Sequence, residues 1–182
     1  TAGIVLTSVT ADDDIFATAD TGNIQVGLIT SSDDTTLIAT TGSITEDSDA
    51  ASDVIADSLT ATALNDINLD TAITSLDAST TGAGSITIEE ASSITLTDVD
   101  TANGSITITA DGGITATDVS STDGNISLNA NGLLTAGNVI ANDSASTGDY
   151  DVTLNTTTAG IVLTSVTADD DIFATADTGN IQ

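Results

Sequence analysis

The chain has 182 residues, 28 carboxylates and no Lys, Arg or His, for a formal net charge of −28. It also lacks Cys, Met, Trp and Pro, and its only aromatics are Phe16, Tyr150 and Phe173. This set cannot build a zinc thiolate site, a serine–histidine couple or a phosphate-clamping cation, and a nucleic acid or an anionic membrane finds nothing to attract it.

High charge with few aromatics is a composition of disorder. Here, however, 39% of residues are hydrophobic, and the Ile, Val and Leu recur in ordered patterns that suit a narrow aliphatic core. Apolar runs stop at three or four residues, so neither a membrane-spanning segment nor a signal peptide is expected. Thr stands at position 1 where a start Met would be, so the expectation is an excised internal piece whose targeting signal lies outside it.

In chain order, the first apolar marks are Ile4-Val5-Leu6 with Val9, an I-x-L-x-x-V signature, then Ile24-Gln25-Val26 with Ile29, the same spacing with Val and Ile in place of Leu and Val. Gly22 and Gly42 keep the same step as Ile4 and Ile24. Between about 46 and 81 the register blurs. It returns sharply, at that same step, in Gly84-Ser85-Ile86-Thr87-Ile88, Gly104-Ser105-Ile106-Thr107-Ile108 and Gly124-Asn125-Ile126-Ser127-Leu128. A second run follows each of these at a fixed distance, at Ile94-Thr95-Leu96, Ile114-Thr115-Ala116 and Leu134-Thr135-Ala136; Val99, Val119 and Val139 close the cycles. Extra residues intrude near 143–149. Finally, residues 158–182 repeat residues 1–25 (TAGIVLTSVTADDDIFATADTGNIQ) without change, at an offset of 157. Two domains are expected, 1–157 as one full repeat unit and 158–182 as the start of the next, with a duplicated terminal tag or engineered overlap as the plainer alternative.

Each run alternates apolar with Thr or Ser, which places Ile on one face of a β-strand. Asp-Gly, Asn-Gly and Thr-Gly between runs read as tight turns. β-Branched residues dominate and no 3.6-residue stripe persists, so helix is disfavoured. Segments that look alike at a constant step stack on one another. This predicts an all-β fold, a right-handed parallel β-helix (β-solenoid) with about 20–27 residues per coil and seven or eight coils per unit. Three strands per coil are expected, with Val99, Val119 and Val139 on the third, and corner glycines are expected to supply positive φ. Of the 28 carboxylates, 24 fall in residues 1–157. At the strand spacing, a unit then rises about 34–38 Å, one charge per roughly 1.5 Å, close to duplex DNA.

The pattern G-[SN]-I-[TS]-[IL], then I-T-[LA] and a closing D/N-V, resembles filamentous-haemagglutinin-like repeat proteins of bacterial surfaces. The resemblance is clear over residues 84–139 and weaker over 1–45. It implies a long extracellular parallel β-helix used in adhesion and display, and it carries no catalytic residues to transfer. Total absence of Lys and Arg, and exact repetition of a long unit, depart from that pattern and lean toward a uniform structural fibre.

The densest acid clusters are Asp12-Asp13-Asp14, the copy Asp169-Asp170-Asp171, and Asp33-Asp34. Stacked at β-helix turns, Asp12, Asp13, Asp14, Asp33 and Asp34 are candidate Ca2+ ligands through oxygen. The plainer reading is solvated turn residues that keep a fibre soluble. No calcium-repeat consensus is present; Asp98-Val99-Asp100 with Asn103-Gly104 is only an echo. Outward pairs such as Thr95/Thr97 and Thr115/Thr117 resemble ice-binding ranks, but Thr also simply suits exposed strand positions, and irregular coils break a flat array. Sequons stand at Asn103, Asn125, Asn142 and Asn155. An Asp-pair glycosidase on a β-helix would want a cation or His beside the acids, so no enzyme is expected. The expected role is a structural segment of a long, polyanionic extracellular or cell-surface fibre. Its partners are adjacent identical units end to end, with lateral bundling through divalent cations. A calcium-stabilised adhesin stalk that binds a receptor or polysaccharide is the alternative, and an ice-binding β-helix the remote one.

Overall fold

The computed structural model describes residues 3–48, 51–145 and 148–182; residues 49, 50, 146 and 147, within the two irregular stretches, lie outside it, as do 1 and 2. Among the described residues there is no helix, and every pairing between named strands is parallel. The first three coils carry three strands each. These are β1 (Ile4–Leu6), β2 (Val9–Ala11) and β3 (Ile15–Ala19), then β4 (Ile24–Val26), β5 (Ile29–Ser31) and β6 (Asp34–Ala39), then β7 (Ile44–Glu46), β8 (Val54–Ile55) and β9 (Ser58–Ala63). Later coils carry two: β10 (Ile67–Ala72) and β11 (Ser75–Thr80), β12 (Ile86–Glu90) and β13 (Ile94–Thr101), β14 (Ile106–Ala110) and β15 (Ile114–Ser121). They continue with β16 (Ile126–Ala130) and β17 (Leu134–Ala141), then β18 (Val152–Thr156) and β19 (Ile161–Thr167), and β20 (Ile172–Ala176) opens one more turn. The fold is thus a parallel β-solenoid of about eight turns.

Two long sheets run its length. In the first, Ile4, Ile24, Ile44, Ile67, Ile86, Ile106, Ile126, Val152 and Ile172 stack in register. In the second, the order is Ile15, Thr35, Leu59, Leu76, Leu96, Ala116, Ala136 and Leu163. Apart from Thr35 and the exposed Ile172, these residues meet in one continuous aliphatic core. Each fully buried Ile or Leu contributes about 1.5–3 kcal/mol of transfer free energy, so a core one side chain deep is built by repetition. The blurred register at 46–81 has a plain cause: the coil from Ile44 to Ile67 is longer than its neighbours and the coil from Ile67 to Ile86 slightly shorter. The coil from Ile126 to Val152 is the longest of all.

Two expectations are corrected. Val99, Val119 and Val139 do stack in register, but within β13, β15 and β17, on the same sheet as Ile94, Ile114 and Leu134. In β13 the residues Thr97 and Asp98 both face outward between buried Leu96 and Val99, and the pairing with β11 slips at Leu76/Asp77. Such a bulge bends a strand and resets its alternation without starting a new sheet. The corner glycines match the expected positive φ only in part. Positive φ occurs at Gly22 and Gly179, whereas Gly104 is needed because a Cβ there would meet the main-chain carbonyl of Gly84 one coil away.

Buried hydroxyls satisfy the turns. Thr80 donates to the Gly84 carbonyl at 2.8 Å, while Thr101 and Ser121 both donate to that of Gly104, at 2.6 and 2.8 Å. Thr156 donates to the Ala159 carbonyl at 2.8 Å. Each pairs a carbonyl that a tight corner turns away from the ladder.

Candidate functional site

The acid corner forms where β2 turns into β3 and, one coil on, β5 turns into β6. Stacking of these two coils lays Asp33 and Asp34 over Asp13 and Asp14. The Asp34 N–H donates to Asp14 Oδ1 at 3.3 Å. Carboxylate oxygens of Asp13, Asp14 and Asp33 come within 4.8 Å of one another, all three residues exposed. Three such oxygens are a partial shell for a hard cation such as Ca2+, which takes six to eight oxygen ligands and accepts water among them. Asp34 instead accepts the Ser58 hydroxyl at 2.6 Å, and Asp12 stands outside the group. The structure therefore gathers three of the five residues singled out from the sequence. The Asp34 carboxylate foremost, then slight desolvation, Asp14, Asp13 and Asp57, hold the exposed Asp33 carboxyl above the ordinary aspartate range.

The duplicate turn at 169–171 meets acids on its other side. Asp171 N–H donates to Asp151 Oδ1 at 3.1 Å and Asp170 N–H to the Tyr150 carbonyl at 3.2 Å. The Asp171 carboxylate first, with slight desolvation, Asp149, Asp151 and Asp169 adding, raises the exposed Asp170 carboxyl.

Two acids that sequence reasoning passed over lie inside. Glu90 is buried at the end of β12, where its carboxylate accepts from Thr71 Oγ1 (2.9 Å), Ile73 N (3.0 Å), Ser92 N (2.9 Å) and Ser92 Oγ (2.7 Å). Four donors around one carboxylate make it a staple between coils. The signal was available: Glu90 occupies the inward position that Ala110 and Ala130 fill one and two coils on. Asp53 is buried between β5 and β10, with Ile29 N donating to its carbonyl at 2.6 Å and its own N–H donating to the Asp70 carbonyl at 2.8 Å. Among the described residues its Oδ2 is buried without a hydrogen-bond partner. Burial pushes its carboxyl up to about 7, against the lowering effect of a backbone hydrogen bond from Asp70 and with help from Glu46, Asp47 and Asp70.

The remaining sequence candidates are outward. Thr97 spends its hydroxyl on the Leu76 carbonyl at 2.7 Å. Asn103, Asn125 and Asn142 are exposed, whereas Asn155 is half-buried and its side chain donates to Asn129 Oδ1 at 2.9 Å. A surface depression of about 160 Å³ is lined by Ser52, Asp70, Glu89, Glu90 and Asp111; it offers carboxylates and hydroxyls to a substrate, and no cation or imidazole.

Compared with protein-family models, with curated proteins and with solved structures, the chain matches none. What the fold defines is a class, a parallel β-solenoid of stacked, near-equivalent coils.

Proposed function

We propose that this chain is a structural segment of a long, polyanionic extracellular or cell-surface filament made of tandem 157-residue solenoid units, in the manner of filamentous-haemagglutinin-like repeats, and that it is not an enzyme. One observation carries the reading. The copied residues 158–182 seat on the preceding coils and hold their own next coil as the first copy does: Ile161 N donates to Asn180 O at 2.9 Å, as Ile4 N donates to Asn23 O at 2.8 Å. A sequence that pairs alike at both ends of the unit is suited to continue. The surface acids supply solubility and lateral repulsion, and divalent cations would bridge neighbouring rods. With no Lys or Arg, trypsin-like proteases have no cleavage site. The test is electron microscopy of a chain extended by several units. A continuous rod that lengthens by about 36 Å per unit, at the 4.8 Å strand spacing, is expected; separate compact particles on a flexible string would refute the proposal.

The oxygens of Asp13, Asp14 and Asp33 favour a second reading, a calcium-stabilised stalk for adhesion. Calcium titration against melting temperature separates the two. A large, saturable rise that Asp33→Asn abolishes supports the stalk. A small shift that sodium chloride reproduces leaves the plain filament.

A further inference from the structure

Residues 1–25 and 158–182 are one sequence in two places, so the chain contains its own comparison. At the first place, Ile4–Leu6 lies in the first sheet, paired with β4, and β3 lies in the second sheet, paired with β6. At the second place the sheets are exchanged. Ile161 and Leu163, twins of Ile4 and Leu6, pair with Leu134 and Ala136 in the second sheet, and β20, twin of β3, pairs with β18 in the first. The relation to the following coil is unchanged, since Ile161 bridges Ile181 in parallel as Ile4 pairs with Ile24.

The ladders themselves say why. From Ile4, seven steps along the first sheet reach Val152, and the chain then crosses to Ile161, the twin of Ile4, on the other sheet. From Ile15, seven steps along the second sheet reach Leu163, the twin of Leu6. The unit therefore holds seven and a half turns. The half turn is tolerated because both sheets turn mainly aliphatic residues inward and mainly Thr, Ser, Asn or acidic residues outward, so neither face is reserved for a particular strand.

We infer that the coil formed by β17 and β18 is a docking edge for a second copy of the unit, entered half a turn round, so that the two sheets change places at every junction. This rests on the tandem-filament reading and deepens it. A side chain repeated once per unit then faces alternate sides of the rod. Phe16, 71% exposed, stands on the second sheet, and its twin Phe173, 49% exposed, on the first. The rod has a screw of half a turn per roughly 36 Å, and its true translational repeat is two units, about 72 Å, at the 4.8 Å strand spacing.

The cysteine-free chain makes this testable by disulfide mapping, because parallel neighbours lie within the Cα separation that a disulfide spans. In the 182-residue chain, Val162→Cys with Thr135→Cys is expected to oxidise readily, and Val162→Cys with Thr153→Cys, the neighbour it would have without exchange, to stay reduced. Thr107→Cys with Ser127→Cys reports simple coil stacking. In chains extended by further units, gold attached at Phe16→Cys and its equivalents is expected to zigzag along the rod. A continuous rod with gold in a single row, or preferential closure of the Thr153→Cys pair, overturns the half turn and leaves the filament standing. Failure of the Thr107→Cys/Ser127→Cys pair to close overturns the stacked fold, and both proposals with it.

Discussion

Gly104→Ala separates a solenoid held by close main-chain approach from one held by side chains alone. Gly104 has an ordinary negative φ, since positive φ is confined to Gly22, Gly179 and Ser48 among the described residues. At such a position Ala usually stabilises by about 0.4–1 kcal/mol through the unfolded chain. Here the added Cβ would lie 2.6 Å from the Gly84 carbonyl carbon and against its oxygen, main-chain atoms that cannot rotate away. The coils cannot part to make room without lengthening the ladder bond from Ile86 N to Ser105 O (3.0 Å), and the Thr101 and Ser121 hydroxyls hold the Gly104 carbonyl in place. Overpacking of this kind costs about 1–3 kcal/mol. The sign is therefore reversed, and for a chain of this size the melting temperature falls by roughly 2–12 °C. Circular dichroism melts and urea titrations of Gly104→Ala against the exposed control Asn103→Ala measure it. A variant as stable as the parent, or more so, refutes the claim that adjacent coils touch at this glycine.

Stability is expected to fall as pH rises from about 4 to about 7. The carboxyls of Asp53, Asp77 and Asp100 (chiefly by burial) and of Asp33 and Asp170 (chiefly by neighbouring carboxylates) sit above the ordinary aspartate value of 3.8, so the native state keeps protons that the unfolded chain has released. Asp53→Asn is expected to flatten that slope, which thermal melts across pH 4.5–8 would show; a parent whose stability climbs over this window contradicts the assignment. Ile24→Ala, at a site 0% exposed between Ile4 and Ile44, is expected to cost about 2–5 kcal/mol, and Ile181→Ala, at the twin site 46% exposed, much less. Extending the chain by another unit should raise the second cost to the first, as urea unfolding can check. Glu90→Ala makes the inward position match Ala110 but strands the donors of Thr71, Ile73 and Ser92, for an expected loss of about 1–3 kcal/mol and faster amide exchange at Ile73 and Ser92.

The ladder Ile86, Ile106, Ile126 was legible because three coils of equal length repeat one pattern, and nothing but stacking explains equal chemistry at equal steps. Legibility failed where a coil changes length. Extra residues in the sequence between β7 and β8, or between β17 and β18, leave the inward residues stacked but destroy the period, and period was the only signal. The third strand was misplaced for a related reason. The two polar residues in I-x-L-x-x-V look like a corner, yet a bulged parallel strand turns both outward and continues on the same sheet. At the acid corner, sequence could name residues adjacent in the chain. It could not show that Asp13, Asp14 and Asp33 converge while Asp34 turns to Ser58, because that depends on which carboxylate faces along the axis. Glu90 was readable in principle, as an acid in an alanine column.

Charge and open edges act in different directions, and that difference would shape how the proposed rod assembles. An uncovered parallel edge offers free ladder groups and invites another strand, and solenoids depend on capping coils for solubility. At the upper end of this chain Ile172 and Ile181 are each 46% exposed, while their twins Ile15 and Ile24 are buried beneath the next coil. The same residues are thus greasy edge or core according to whether a neighbour is stacked on them. Along the flanks, carboxylates at a density near that of duplex DNA oppose contact, and salt or divalent cations weaken that opposition. Axial association therefore gains apolar burial at every added coil, whereas lateral association must first overcome repulsion along the whole rod. Low ionic strength should consequently favour long single rods, and raised calcium should thicken them without changing their axial repeat.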